Sequence, residues 1–173
     1  MLRRVGSSGA AIVAGSALVM LLAACSGGAQ RPAPAAEVKV APEFELKDVQ
    51  GNLYKSSSGN GTVRLVDFWA TWCAPCRQEI PMFKDFHATY GPKGFTLVGI
   101  AMDDEGVAKV RPYVDEMKIP YLTLIGDEGV VDKFGGVVGF PTKFLIDRQG
   151  RIVDSWVGEV PRSILEKEIQ ALL

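Results

Sequence analysis

Val66-Asp67-Phe68-Trp69-Ala70-Thr71-Trp72-Cys73-Ala74-Pro75-Cys76 is the stretch on which the fold turns. It begins inside a compact apolar run of β-formers, Val63 to Trp69, which reads as a buried central strand. After the second cysteine, Ile80, Phe83, Phe86 and Tyr90 recur at helical spacing, predicting a helix from about Cys73 to Tyr90. Pro81 is expected to kink that helix by removing an amide donor. The cysteine pair therefore falls where a strand ends and a helix starts. Two thiols at this spacing on a first helical turn close a disulfide with little rearrangement. Unpaired amides and the macrodipole at a helix N-terminus stabilise a thiolate at the first position. Cys73 is thus expected as the exposed nucleophile and Cys76, one turn in, as the shielded resolving thiol. Pro75 is tolerated there because its missing donor would be unpaired in any case.

Outward from this junction the chain alternates strand and helix signals. Phe44 and Leu46 alternate with polar residues before Gly51-Asn52, predicting a β-hairpin near 44–55, followed by a polar loop from Ser56 to Gly61. Phe95 to Met102 reads as a second buried strand. Gly106 to Met117 reads as an amphipathic helix with Val107, Val110, Val114 and Met117 on one face. Tyr121 to Ile125 follows as a strand, then a short helix from Glu128 to Phe134. Lys143 to Asp147 and Arg151 to Val157 flank Arg148-Gln149-Gly150, a strong hairpin signal, and Pro161 opens a terminal helix to Leu173. This order predicts an α/β fold with a mixed central sheet flanked by helices, its middle strands parallel and its last hairpin antiparallel.

The first residues read as an address. Met1-Leu2-Arg3-Arg4 is basic, and Ala10 to Ala24 is uncharged and apolar, the pattern of a secretory signal. The run falls short of the ~20 residues needed to span a bilayer. Leu22-Ala23-Ala24-Cys25 resembles the lipobox of bacterial lipoproteins, which implies a signal peptide over 1–24 and lipidation of Cys25. The other reading is an ordinary signal peptide that contains a cysteine. Residues 25–36, with Gly27, Gly28, Pro32 and Pro34, read as a flexible tether, leaving 37–173 for the folded domain.

The totals narrow the function. A chain of 173 residues holds one domain and a tail, and a net charge of -1 provides no basic excess for nucleic acid. Three cysteines divide into lone Cys25 and the Cys73/Cys76 pair. A zinc site needs four ligands, and the chain has a single histidine, His87. A plain disulfide staple is the other structural reading of the pair, but a bridge three residues apart closes too small a loop to stabilise much.

With Gly139-Phe140-Pro141-Thr142 downstream, the opening stretch resembles the thioredoxin superfamily. Within it the chain is most similar to the TlpA/ResA/CcmG branch of membrane-tethered thiol–disulfide oxidoreductases. The resemblance covers roughly residues 40 to 173, and the length between helices, the Phe-Leu-Ile-Asp-x-x-Gly hairpin and the lipobox support the narrower branch. The resemblance implies a thioredoxin-like fold with an N-terminal β-hairpin extension. It implies a cis bond before Pro141, with Pro141 facing the cysteines and the Phe140 backbone open to pairing with an extended substrate. Trp72, Ala74, Pro75, Phe140 and Pro141 are then the substrate-binding candidates.

Cys73, Cys76, Asp67 and Glu79 are the catalytic candidates. Asp67 sits inside an apolar strand, where burial raises a carboxyl pKa. In thioredoxins the matching Asp accepts the proton of the resolving thiol. The TlpA branch often has Asn there, so Asp67 departs from the branch. Glu79 matches a Glu near the active site of ResA-like proteins. The plainer readings are a hydrogen-bonded core acid for Asp67 and a solvated helix residue for Glu79. Trp69 and Trp72 read as packing around the motif, Trp72 also as part of the substrate surface. His87 reads as a core-edge residue, and Asp103-Asp104-Glu105 as a solvated loop.

The expected activity is dithiol–disulfide exchange, running in the reducing direction, with no cofactor beyond the Cys73–Cys76 disulfide and no metal. The resemblance implies protein disulfide substrates, for example in cytochrome c maturation or copper-site assembly. It also implies a membrane thiol transporter of the DsbD/CcdA kind as reductant, a lipid anchor on the periplasmic side, and a monomer. Two other classes use the same cysteines. A copper-handling module would want a histidine in reach. A peroxiredoxin-like peroxidase would want a Pro-x-x-x-Thr-x-x-Cys pattern, which is not met around Phe68 and Ala70.

Overall fold

The computed structural model describes residues 39–173. The signal, Cys25 and the tether lie outside the described residues.

Five strands form the main sheet: β3 (Val63–Trp69), β4 (Phe95–Ala101), β5 (Leu122–Ile125), β6 (Thr142–Ile146) and β7 (Ile152–Val157), in the order β5-β4-β3-β6-β7. β3, β4 and β5 run parallel, and β6 and β7 are antiparallel. Crossover helices α1 (Ala74–Tyr90) and α2 (Val107–Met117) connect the parallel strands, and α3 (Glu128–Lys133) and α4 (Arg162–Leu172) follow. The expected mixed sheet, thioredoxin-like order and antiparallel final hairpin are all present. Boundaries shift by a residue or two, as element ends commonly do.

Each strand feeds two layers of core. On one face, Leu65, Trp69, Leu97 and Leu145 pack against Ile80, Phe83, Phe86 and Tyr90 of α1, Val110 and Val114 of α2, and Leu165 and Ile169 of α4. On the other, Val66, Phe68, Val98, Phe144 and Ile146 meet Phe44, Leu46, Val130 and Phe134. β3 is buried at all seven positions, which is why its sequence lacks the polar alternation of a surface strand. The period of two in β3 puts Asp67 on the same face as Leu65 and Trp69, under α1.

β1 (Glu45–Lys47) and β2 (Leu53–Lys55) form the predicted hairpin as a two-stranded sheet of their own. Asp48 Oδ1 closes its turn by accepting from the Gln50 and Asn52 amides at 2.9 and 2.8 Å. The Val49 amide bonds the Thr123 carbonyl at 3.1 Å, so the hairpin docks on the edge strand β5.

α1 runs unbroken through Pro81, which is exposed. Three expectations change. The polar loop after β2 contains a 3₁₀ turn over Ser56–Gly59. In α2 the packed stripe is Val110, Tyr113, Val114 and Met117. Val107, a turn earlier, overhangs the core at the rim of a groove with Leu46, Leu53 and Ile125, and is half exposed. Finally, the Asp103-Asp104-Glu105 loop is not solvated throughout, because Asp103 is buried.

Candidate functional site

Strand β3 delivers its chain to the C-terminal edge of the sheet, where Ala70 to Cys73 turn into α1. Asp103, at the end of β4, fixes that turn. Its carboxylate accepts from the Thr71 amide at 3.0 and 3.3 Å and from the Thr71 hydroxyl. The Cys73 amide bonds the Ala70 carbonyl at 3.1 Å. Cys73 is the N-cap of α1, and its Sγ accepts from the Cys76 amide at 3.3 Å. The two cysteines are joined, with S–S 2.06 Å and Cα–Cα 5.3 Å. The helix N-terminus thus already donates to the sulfur that would carry negative charge after reduction.

The expected exposure of Cys73 is corrected: in the disulfide form Cys73 is 5% exposed and Cys76 2%. The Cys73 sulfur, bonded to Cys76, lies at the helix terminus, and Trp72 and Ala74 take the exposed positions on either side. Trp72 is 63% exposed, and its ring meets that of Phe140 edge-on, 5.9 Å between centroids. This contact brings the Gly139-Phe140-Pro141 loop against the cysteine motif. The Phe140–Pro141 bond is cis, Phe140 is half-buried, and Pro141 is buried. Pro75 occupies the first turn of α1 and is partly covered.

Under the first two turns of α1 lie three buried ionisable side chains. Lys143, on β6, is directly opposite Asp67 on β3 and has 0% side-chain exposure. Its Nζ is 2.7 Å from Glu79 Oε2 and 3.9 Å from Asp67 Oδ1. It also donates to the Gly158 carbonyl at 3.1 Å. Glu79 Oε1 accepts from the Val160 amide at 3.2 Å, tying α1 to the segment before α4. Asp67 Oδ1 is buried with no hydrogen-bond partner among the described residues. Both plainer readings therefore give way: Glu79 is not solvated, and Asp67 is not a satisfied core acid.

The electrostatics follow from this geometry. Burial pushes the Asp67 carboxyl up to about 8, with Lys143 opposing and Glu79 adding to the shift. Burial also raises Glu79, against the Lys143 ion pair and the Val160 amide, which favour its charged form. Burial, then the charges of Asp67, Tyr113 and Glu79, holds Tyr121 well above the ordinary phenol range. Asp67 has glycine, Gly99, as its other cross-strand neighbour. A Cβ at Gly99 would sit 3.0 Å from Trp69 Nε1 and 3.5 Å from Tyr121, so the missing side chain lets these rings close over the acid.

Lys143 and Asp103 are the residues the sequence reading missed. A lysine inside Thr142–Ile146, an otherwise apolar run, carried the same signal as Asp67 in its own strand. His87 is half-buried beside Tyr121, at the core edge, and stands roughly 16 Å along α1 from Cys76. Trp69 is buried against Tyr113.

A model of the AhpC/TSA family matches residues 38–155. The thiol-disulfide oxidoreductase ResA of Bacillus thuringiensis subsp. konkukian is 29% identical over 134 residues, covering 78% of this chain and 77% of its own length. The thioredoxin-like protein YneN of Bacillus subtilis is 30% identical over 134 residues, covering 77% and 78%. Among solved structures, a thiol:disulfide interchange protein of the thioredoxin family from Chlorobium tepidum TLS superimposes with a TM-score of 0.73 at 32% identity, over 80% of this chain and 98% of that one.

Proposed function

The chain belongs to the AhpC/TSA family, and we propose that this thiol–disulfide oxidoreductase reduces protein disulfides outside the cytoplasm, through Cys73 and Cys76. The observation that carries the reading is the Cys73–Cys76 disulfide at the N-cap of α1, flanked by the Trp72–Phe140 contact. The Cys73 thiolate attacks one sulfur of a substrate disulfide. The S–S bond breaks, the departing substrate thiolate takes a proton, and a mixed disulfide remains. Cys76, once deprotonated, attacks the Cys73 sulfur, releasing the second substrate thiolate and closing the Cys73–Cys76 bond. Electrons pass from the enzyme dithiol to the substrate.

Asp67, a buried acid that holds its proton near neutral pH in the disulfide form, passes it to the Cys76 sulfur when the pair is reduced and, then a carboxylate, takes it back as Cys76 attacks; Glu79 tunes it. Trp72, Ala74, Pro75 and the Phe140-Pro141 loop form the surface that receives the substrate segment. Cys25 carries the lipid; two or more acyl chains give stable anchoring where one gives marginal binding. Among the described residues no helix is long and apolar enough to cross a membrane. A reductant of the DsbD/CcdA kind resupplies electrons, and apocytochrome c or copper-site assembly proteins are the substrate class.

Two comparisons weigh against the other readings. His87 stands three helical turns from Cys76, so it does not complete a copper site with the pair. The sequence around Phe68 and Ala70 lacks the peroxidase pattern, and a peroxide turnover assay separates that chemistry from exchange. The direction of electron flow is tested by equilibrating the pair in thiol redox buffers and following tryptophan fluorescence. A potential near about −270 mV fits a reductase; a value near about −120 mV makes the protein an oxidant and overturns the direction.

A further inference from the structure

Three ionisable side chains share one dry compartment below the first turns of α1, and they are not equivalent. Lys143 Nζ makes a close ion pair with Glu79 at 2.7 Å and stands 3.9 Å from Asp67. Glu79 Oε1 accepts from the Val160 amide, whereas Asp67 Oδ1 has no donor among the described residues; Glu79 Oε2, likewise without a hydrogen bond, has the Lys143 ammonium at ion-pair distance. A buried carboxylate needs a charge partner and hydrogen bonds, and one ammonium cannot fully serve two. We propose that Lys143 is a positioning residue that decides which of the two carboxyl groups holds the proton, keeping Glu79 as carboxylate and leaving Asp67 as the acid.

The inference rests on the reading of Asp67 as proton carrier but goes beyond it, by naming what makes Asp67 rather than Glu79 the carrier. The groups around the compartment are Asp67 from β3, Lys143 from β6, Glu79 from α1, Tyr113 from α2 and Tyr121 before β5; Glu159, before α4, is exposed and acts on Glu79 through its charge. Lys143 is the one cation among them. With Glu79 ionised and Asp67 protonated, the dry trio of Asp67, Glu79 and Lys143 is neutral, the least costly charge state for such a compartment. Burial pushes both carboxyl groups up and Lys143 opposes both shifts, so the distinction between them rests on the distances and donors. The alternative assignment would put the anion on the group with fewer donors. β-Strand register makes the arrangement rigid, because Lys143 and Asp67 are held opposite each other by the β3–β6 ladder.

The test reads protonation directly, from carboxyl ¹³C shifts of the oxidised full chain through a pH titration, where neither cysteine titrates. In the wild type, Glu79 is expected to be ionised at pH 7 while Asp67 keeps its proton. In Glu79→Gln, Lys143 is left for Asp67, whose midpoint is expected to fall by about one unit or more. In the double variant Glu79→Gln/Lys143→Met the ammonium is gone as well, and Asp67 is expected to stay protonated past neutrality. These two variants keep the test decisive even where Lys143→Met alone does not fold. An Asp67 midpoint that is the same in both variants, or an ionised Asp67 at pH 7 in the wild type, overturns the inference. Expected titrations combined with an exchange rate that ignores the Asp67 midpoint support the role of Lys143 and overturn the proton-carrier reading instead.

Discussion

Asp103 holds Thr71 by both its amide and its hydroxyl, across a gap of 32 residues in sequence. Thr71 is two residues before Cys73, so this contact sets where β3 hands over to the cysteine loop. Asp103→Ala leaves two buried donors unpaired and is expected to cost about 1–3 kcal/mol for each. Thr71→Val removes one of the two donors and keeps the shape, so it should cost less. Urea denaturation of the oxidised proteins, alongside the rate of disulfide exchange, checks both. An Asp103→Ala protein of unchanged stability would show that the contact does not hold the loop.

Asp67 gives the stability a pH dependence of definite sign. Its folded value, about 8, lies above its ordinary 3.8, so the folded state binds the extra proton between these limits. The Asp67 contribution to stability is therefore full below about pH 4, falls as pH rises towards 8, and levels off beyond. Asp67→Asn removes that slope and is expected to be the more stable protein at pH 8, by on the order of a few kcal/mol, with little difference at pH 4. Denaturant melts of both proteins at the two pH values decide it, and parallel curves for both would contradict the assignment.

The role proposed for Trp72 is in binding rather than folding. Its indole is largely exposed and touches Phe140 at one edge. Trp72→Ala is expected to change stability by about 0.5 kcal/mol or less, yet to lower kcat/KM for a protein disulfide by roughly 5- to 30-fold. A small disulfide substrate should lose much less. Equal losses on both substrates would move Trp72 from recognition to chemistry.

How much of this was legible depends on where each partner lies in the chain. β3 and α1 could be read because their own residues carry the pattern, and Ile80, Phe83, Phe86 and Tyr90 are all buried as their spacing predicts. The cysteine pair and the Phe140–Pro141 loop were legible as motifs. Glu79 could be placed near the pair only by resemblance, and its burial depends on Lys143, 64 residues later on another strand. Asp103 was misread because three adjacent acids look solvated, while its acceptor role is set by a donor at the end of β3. Local pattern reports which face of an element is covered; it does not report which charge meets which across the core.

The proposed lipidation of Cys25 makes its own prediction. Expressed in a bacterium, Cys25→Ser in the full chain is expected to move the protein from the membrane fraction to the soluble extracytoplasmic fraction, with loss of acyl mass from the mature N-terminus. The Cys73/Cys76 exchange activity of the released protein should be unchanged. An unaltered membrane fraction would contradict the anchor.

The division of labour between the two cysteines is tested most directly by trapping. Cys76→Ser is incubated, reduced, with a protein disulfide and examined by intact mass under non-reducing conditions. A stable mixed disulfide through Cys73 is the predicted result, with Cys73→Ser forming far less of one under the same conditions. Trapping through Cys76 in Cys73→Ser, with none through Cys73, would contradict the account at its centre.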